Sequence, residues 1–251
     1  MQFPVELHFV KNSIHLHAVM ETAGFFIGFR YFLYLRKKQG DIIESTNRTW
    51  ILLGAIFGAL AGSRLIGSLE RPNELLHAKN IGEYIYNNKT VLGGFLGGLL
   101  VVELIKKIVG EKHSSGDLFT YPMILALIIG RIGCFSMGVY EETYGTPTKL
   151  FTGINLGDGL MRHPVSLYEI FFLVLLWIGL LIVENTYVLA EGGRFKLFMI
   201  GYISYRFFVD FIKPSYPIIF GLSTIQLTAV IGLIYYSPYI IHPKKLLHPN
   251  A

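Results

Sequence analysis

The sequence predicts an all-α integral membrane protein, a bundle of seven transmembrane helices with a small loop or cap region at about 140–163 on its outer side. Of the 251 residues, 52% are hydrophobic and only 16% are charged, and the mean hydropathy of +0.49 exceeds that of ordinary soluble domains. Seven apolar segments have the length of about 20 residues that crosses a bilayer. The connections between them leave no room for a soluble domain, so residues 1–251 are predicted to form a single polytopic membrane domain.

The predicted spans are 14–35, 50–69, 91–109, 119–138, 164–184, 195–213 and 218–240. The first opens with polar side chains and has no cleavage-site pattern, so we expect a retained helix and not a signal peptide. Lysine and arginine are more frequent in alternate loops, beginning with the loop after the first span, which predicts an outer N-terminus and an inner C-terminus. The net charge of +5 then reflects topology and anionic lipid contact. No basic stripe with interleaved aromatic residues indicates a nucleic-acid partner.

Glycines recur at four-residue spacing in the first three spans: Gly24 and Gly28, then Gly54, Gly58 and Gly62, then Gly93 and Gly97. This spacing predicts close approach of helix backbones, because packing replaces the hydrophobic drive inside lipid. Gly93 and Gly94, in the sequence LGGFLGG, open the third span at the outer interface. A second interpretation is that these two glycines bring backbone N–H groups near a ligand.

The longest outer loop, about 140–163, is rich in Gly, Pro and Asp, which predicts turns, and its Thr, Phe and Ile allow a short strand pair. Pro164 follows at the first turn of the fifth helix, where a missing N–H costs nothing. We expect this loop to lie over the outer mouth of the bundle.

Charged side chains within the spans are expensive in lipid, so they predict a functional site. Arg131 is the only ionisable side chain in 119–137 besides the thiol of Cys134. Tyr202, Arg206 and Asp210 recur every fourth residue and therefore share one helix face. The alternative for Arg206 and Asp210 is mutual neutralisation as a helix pair.

Arg64 lies toward the outer end of the second span, in the same half of the membrane as Arg131. Three arginines in one region favour a phosphate site, since a guanidinium matches phosphate oxygens bidentately. The abundant phosphates of a bilayer belong to lipid head groups, so a phospholipid is the predicted ligand.

Other polar residues cluster near the outer side. His17 and Glu21 are one turn apart and either line the same cavity or form a packing pair. His163, Tyr168 and Glu169 stand at the outer mouth, although His163 is equally well explained as a cap. No two histidines share a helix face with a third ligand at zinc-like spacing, and His15 and His17 point to different sides, so neither a metal nor another cofactor is predicted.

Cys134 admits two interpretations, a nucleophile or an inert buried side chain among apolar neighbours, of which the second is the more usual. A serine hydrolase is not supported, because no Gly-x-Ser-x-Gly turn with a matching histidine is present. No inverted repeat indicates a transporter.

The sequences GRIGCFSMG…EETYG, RHPVSLYE and GRFKLFMIGYISYRFFVDFIKP…GLSTIQ resemble, in order, the signatures of bacterial prolipoprotein diacylglyceryl transferases. The usual forms are G-R-x-G-N-F-x-N-G-E, R-H-P-S-Q-L-Y-E and G-Y-x-x-x-R-F-x-x-E-F. The resemblance implies a seven-helix protein of the bacterial cytoplasmic membrane with a periplasmic N-terminus. It also implies transfer of the diacylglyceryl group from phosphatidylglycerol to the lipobox cysteine of a prolipoprotein.

By this resemblance Arg131 and Arg206 hold the lipid phosphate, with Tyr202 beside them. Asp210 stands where the family has glutamate, and Glu142 fits a further family glutamate if the loop is longer here.

Further substitutions depart from the family pattern: Leu92 replaces the histidine of the HGG element, Cys134 and Met137 replace asparagines, and Ser166 stands where the family has glutamine. A proposed base is thereby absent, and His163, His17 or Glu142 are the candidates to replace it. Two alternatives therefore stay open: the same fold acting on another phospholipid or acceptor, and a non-catalytic lipid-binding or membrane assembly protein.

Overall fold

The structure is a computed structural model that describes residues 2–9, 12–214 and 216–248. Its helices are α1 Leu16–Gln39, α2 Ser45–Ser68, α3 Pro72–Leu76, α4 Ile81–Asn87, α5 Val91–Val109, α6 Asp117–Met137, α7 Val165–Thr186, α8 Gly193–Val209 and α9 Thr224–Ile241. A long helix thus covers each of the seven predicted segments. Four stretches, Ser45–Ser68, Asp117–Tyr140, Val165–Thr186 and Thr224–Ile241, are long and apolar enough to cross a membrane. The chain is an integral membrane protein built from helices.

Two predicted helix ends are wrong for local reasons. The last helix was expected from residue 218 but begins at Thr224, because Phe220 and Gly221 adopt positive φ in a turn. Ser223 then caps the helix in a capping box with Gln226. The sixth segment was expected to run to residue 213, but α8 ends at Val209 and a 3₁₀ turn precedes Pro214.

Two pairs of short strands lie near the C-terminal end of α6. Strands β3 (Ile154–Asn155) and β4 (Met161–Arg162) pair antiparallel, which confirms the short strand pair expected within 140–163. The backbone N–H of Val139 bonds to the carbonyl of Leu156, so this loop packs on the end of α6. Strands β1 (Glu6–Phe9) and β2 (Asn12–His15) pair antiparallel before α1, and the sequence analysis missed them.

Helix α2 packs along α5 through glycines, and this confirms the close-packing interpretation. A Cβ on Gly58 would lie 2.5 Å from the carbonyl oxygen of Gly97, and one on Gly93 would lie 2.5 Å from that of Gly62. Helix α1 meets α6 in the same way, since a Cβ on Gly24 would lie 2.9 Å from the carbonyl oxygen of Ala126. Larger side chains at these positions would force the helices apart.

A buried apolar cluster joins α1 and α5–α9 around side chains such as Leu35, Leu92, Leu173, Phe198 and Ala229. Large apolar residues face outward along the helices, among them Phe57, which is 68% exposed, and Phe171, which is 66% exposed. The charged side chains Arg131, Glu169 and Arg206 are buried instead. This inversion of the soluble pattern fits a lipid-facing surface around a polar interior.

Candidate functional site

One buried carboxylate gathers side chains from three helices, near the end of the bundle that holds the loop 140–163. Glu169 of α7 accepts a hydrogen bond from the hydroxyl of Tyr202 at 2.7 Å. Its other oxygen accepts from Nη1 of Arg206 at 3.2 Å. Nε of Arg131 in α6 lies 2.9 Å from Oε1 of the same carboxylate. These four residues, here called the arginine cluster, form a buried ion triad with a phenol attached.

The arginine cluster has more donors than Glu169 can use. Nε of Arg206 and the hydroxyl of Tyr205 are buried with no hydrogen-bond partner among the described residues. A guanidinium carries five N–H donors, and a buried donor without a partner costs about 1–3 kcal/mol. These neighbouring α8 groups therefore favour an additional acceptor, and an anionic ligand supplies both acceptors and the charge that two arginines on one carboxylate lack.

Helix register explains why these side chains meet. Tyr202 and Arg206 are one turn apart and share a face of α8, as predicted. The predicted helix pair of Arg206 with Asp210 is not among the ion pairs of the described residues, because Arg206 turns to Glu169. Glu169, expected at the outer mouth, is instead the centre of the cluster and only 1% exposed.

A second polar group adjoins the arginine cluster through Cys134. Nη1 of Arg131 donates to the Cys134 sulfur at 3.4 Å, and that sulfur lies 4.0 Å from Oε1 of Glu141. Nδ1 of His17 forms a short contact with the other oxygen of Glu141. Cys134 is therefore buried among polar groups, and the expectation of apolar neighbours is wrong. We call His17, Cys134 and Glu141 the thiol trio.

The ligand-type atoms of the thiol trio all lie within 4.8 Å of one another. The fold thus assembles a set of metal-type ligands whose members are distant in sequence, which an inspection for two histidines on one helix face does not reveal. Glu21 adjoins this group: its carboxylate lies 3.6 Å from Nε2 of His17 and accepts from Lys89 at 2.8 Å.

Two glycines allow the thiol trio to form. A Cβ on Gly133 would lie 3.2 Å from the Cα of His17 and 2.9 Å from the Cβ of Met20, so its absence lets α1 approach α6 at this level. Gly138 ends α6 with φ of +62°, a backbone conformation that favours glycine. The chain then reverses, and Glu141 returns beside Cys134.

The structure places two predicted catalytic carboxylates away from the arginine cluster's central carboxylate. Glu142, whose side chain is 64% exposed, forms a short ion pair with Arg71. Asp210 lies just beyond α8 and accepts a short hydrogen bond from the hydroxyl of Ser223, the residue that caps α9. Asp210 thereby ties the end of α8 to the start of α9.

Glu142 and Asp210 nevertheless line one small cleft together with Glu70 and Lys213. Burial raises the pKa of Glu70, and the charges of Lys213 and Arg206 oppose that rise. The cleft is therefore lined by charged groups of both signs.

Three predicted ligand-binding residues serve packing in this structure. The guanidinium carbon of Arg64 lies 4.8 Å from the ring centroid of Tyr86, so Arg64 stacks on α4 and adds no ion pair to the arginine cluster among the described residues. Gly93 is in the seam with α2. The N–H of Gly94 already bonds to the carbonyl of Thr90. Helix α2 packs on α5, away from α6 and α8, which explains the displacement of Arg64.

His163 and Tyr168 hold the outer loop to α7. Nδ1 of His163 lies 3.3 Å from the hydroxyl of Tyr168, and that hydroxyl lies 2.6 Å from Oγ1 of Thr152. The backbone carbonyl of His163 also accepts from the N–H of Gly145. The capping interpretation of His163 is wrong, because the N-cap of α7 is Pro164 and no side chain caps this helix.

Sequence reasoning missed Glu141 and Tyr205. Glu142 was preferred over Glu141 on its distance from a glycine, and nothing local in EETYG distinguishes which carboxylate turns inward. Tyr205 could have been recognised from its position next to Arg206, although adjacent helix residues point in different directions.

Comparison with known proteins identifies the family of the chain. The family described as prolipoprotein diacylglyceryl transferase matches residues 4–241. A phosphatidylglycerol–prolipoprotein diacylglyceryl transferase of Cupriavidus metallidurans is 30% identical over 84% of this chain and 80% of its own. The protein of that name from Wolbachia pipientis is 32% identical, covering 86% and 84%. The one from Chromobacterium violaceum is 26% identical, covering 88% and 87%. The chain therefore belongs to the prolipoprotein diacylglyceryl transferase family.

Proposed function

We propose that this protein transfers the diacylglyceryl group of phosphatidylglycerol to the cysteine thiol of a prolipoprotein lipobox. The observation that carries the proposal is the arginine cluster, in which two buried guanidinium groups share one carboxylate and retain an unpaired donor. Family membership supplies the reaction class. All seven long helices are proposed to cross the bacterial cytoplasmic membrane as one domain.

The arginine cluster suits the departing half of the lipid. The reaction breaks a carbon–oxygen bond, and the electron pair leaves on a phosphate oxygen as glycerol phosphate departs. Arg131 and Arg206 offer fixed positive charge to that oxygen, and a site with little water strengthens the interaction. Glu169 and Tyr202 hold both arginines in place before the lipid arrives, so little reorganisation is required.

The acceptor thiol must lose its proton to attack. Of the three groups considered as replacements for the missing family histidine, His163 bonds Tyr168 and Glu142 pairs with Arg71. Only His17 lies in a group that contacts Arg131, through Cys134 and Glu141. We assign thiol activation to the thiol trio.

An outer N-terminus and inner C-terminus follow from the same arrangement. The ends opposite the arginine cluster are joined by contacts such as Arg48 with the carbonyl of Ser115, at 3.0 Å, and Asn47 with Glu111, at 3.4 Å. The chain at that end includes Lys37, Lys38 and other basic residues. A lysine- and arginine-rich face is typical of the cytoplasmic side.

The test incubates the purified protein with phosphatidylglycerol and a lipobox peptide and measures the gain of one diacylglyceryl mass on the peptide cysteine. Arg131→Ala and Arg206→Ala should each abolish the product. Arg194→Ala is the matched control, because Arg194 also pairs with a helix carboxylate, Glu184, but at the inner end. Its product yield should stay within about a factor of two.

Each other outcome supports a different function. Activity with another phospholipid, and none with phosphatidylglycerol, would show that the other phospholipid is the donor. Phospholipid binding without any product would favour the non-catalytic lipid-binding role. Equal loss in the Arg131, Arg206 and Arg194 variants would show that the assay reports general unfolding and not the phosphate site.

A further inference from the structure

The thiol trio has the composition of a transition-metal site. It combines a thiolate-forming sulfur, an imidazole nitrogen and a carboxylate oxygen, all within 4.8 Å of one another. Zn²⁺ binds these three donor types at about 2.0–2.3 Å in tetrahedral geometry, which places ligand atoms roughly 3.3–3.8 Å apart. The side chains need to close by about 1 Å to reach that spacing. Three protein ligands with an open fourth position are typical of catalytic zinc sites.

The surroundings of the trio support ligation. The carboxylate of Glu21 lies 3.6 Å from Nε2 of His17 and leaves Nδ1 directed at Glu141. A carboxylate on the distal nitrogen is the usual orienting partner of a metal-bound histidine. Nη1 of Arg131 donates to the Cys134 sulfur and so fixes the position of this side chain.

Charge balance is also suitable. A Cys134 thiolate and the Glu141 carboxylate together neutralise a divalent cation, and neutral His17 adds no charge. Arg131, the nearest competing cation, lies 2.9 Å from Glu169, a carboxylate that it shares with Arg206. Without a metal, the contact between Cys134 and Glu141 is weak, because the sulfur lies 4.0 Å from the carboxylate oxygen.

We propose that His17, Cys134 and Glu141 bind one divalent transition-metal ion of the Zn²⁺ class, whose open position takes the acceptor thiol as a thiolate. The second half of this statement rests on the proposed transferase function. On binding the metal, the acceptor S–H bond breaks and the proton leaves to solvent at the outer face. The sulfur then forms a bond to the glyceryl carbon as the carbon–oxygen bond breaks, with its electron pair passing to the phosphate held by Arg131 and Arg206. No electron donor or oxidant is required.

This arrangement accounts for two departures from the family pattern at once. Leu92 removes the histidine ahead of the paired glycines, and Cys134 replaces an asparagine with a metal ligand. Coordination lowers the pKa of a thiol and so replaces a general base.

The metal is tested without any activity assay. Protein free of a histidine tag is stripped with chelator, reloaded with Zn²⁺ and desalted, and the bound metal is measured by mass spectrometry. We expect about one ion per chain, lost in Cys134→Ser and in His17→Gln. His113→Gln is the matched control, because His113 pairs with Glu191 on the inner side and should keep full loading. Unchanged loading in both trio variants, or no loading of the parent protein, would overturn the proposal.

Cobalt identifies the ligands directly. Cys134 is the single cysteine of the chain, so a thiolate-to-cobalt charge-transfer band in the Co²⁺ protein must come from it. The band should be absent in Cys134→Ser. A lipobox peptide should intensify the parent band, whereas a peptide with serine in place of cysteine should not; equal responses to both peptides would refute thiol binding at the open position.

The outcomes separate this inference from the transferase proposal. Metal loading with a cysteine-dependent band but no lipid transfer supports the site and contradicts the function. Full transfer by protein shown to be metal-free contradicts thiol activation by the metal and leaves the function standing, with His17 and Glu141 acting through protons alone.

Discussion

Replacing Glu169 with glutamine removes the charge that two buried arginines share while keeping the shape of the side chain. Breaking a buried ion pair by removing one partner costs about 3–5 kcal/mol. Glutamine still offers an acceptor to Tyr202, which donates at 2.7 Å, so we expect the lower end, about 3 kcal/mol. For a chain of this size that corresponds to a fall of roughly 6–12 °C in the unfolding midpoint.

The measurement is thermal unfolding of the detergent-solubilised protein. Glu184→Gln is the matched control, since Glu184 also accepts from a tyrosine, Tyr121 at 2.7 Å, and pairs with an arginine, but its side chain is 20% exposed. Its midpoint should fall by no more than about 4 °C, because partly exposed ion pairs contribute about 1 kcal/mol or less.

Anionic phosphatidylglycerol should restore part of the Glu169→Gln loss, because the lipid phosphate supplies the missing negative charge. Zwitterionic phosphatidylcholine is the lipid control. Equal melting shifts in the two glutamine variants, or equal rescue by both lipids, would refute the assignment of the arginine cluster as a charged lipid site.

Three further outcomes follow from the fold. Gly97→Ala should destabilise the protein by about 1–3 kcal/mol, because the added Cβ would lie 2.7 Å from the backbone of Gly62 in α2. Gly179→Ala is the comparison: it has open space around it and should stabilise the protein by up to about 1 kcal/mol. The thermal unfolding midpoints of the two variants are measured against that of the parent protein. Burial opposes ionisation of Asp41, but Arg48 and the backbone N–H of Ile43 lower the pKa of its carboxyl below 3.8. The ionised Asp41 therefore stabilises the folded state above about pH 3.8, and this stabilisation is lost as the pH falls through the pKa of the folded state. Asp41→Asn should flatten that part of the curve of stability against pH. Tyr202→Phe should cost about 1.5–3 kcal/mol in denaturant unfolding, since it removes a bond to a charged acceptor.

The helical architecture was predictable because each apolar segment specifies its own burial in lipid. The span predicted at residues 91–109 and helix α5 have the same bounds. This segment is rich in glycine and leucine and has few polar residues between its two ends. The strand pair within 140–163 was predictable from its turn residues. Strands β1 and β2, whose register pairs Glu6 with His15, were missed. Their alternating pattern is too short to stand out beside a long apolar span.

The arginine cluster was half predictable. A buried arginine is anomalous in lipid on its own, so Arg131 and Arg206 could be selected from sequence. Their common partner could not, because Glu169 opens a different helix and its inward direction depends on how α7 packs between α6 and α8. The sequence likewise placed Asp210 on the helix face of Tyr202 and Arg206, whereas α8 ends one residue before it.

The sequence by itself determined that the chain lies in a membrane, where its long helices begin and end within a few residues, and which charges require a partner. Those properties depend on local hydropathy and on residues within a few positions of one another. Only the tertiary structure decided that Arg131 and Arg206 meet at Glu169, that Arg64 does not join them, and that His17, Cys134 and Glu141 form one group. Such contacts depend on the rotation and separation of packed helices, and glycines such as Gly133 set that separation through the side chain they lack.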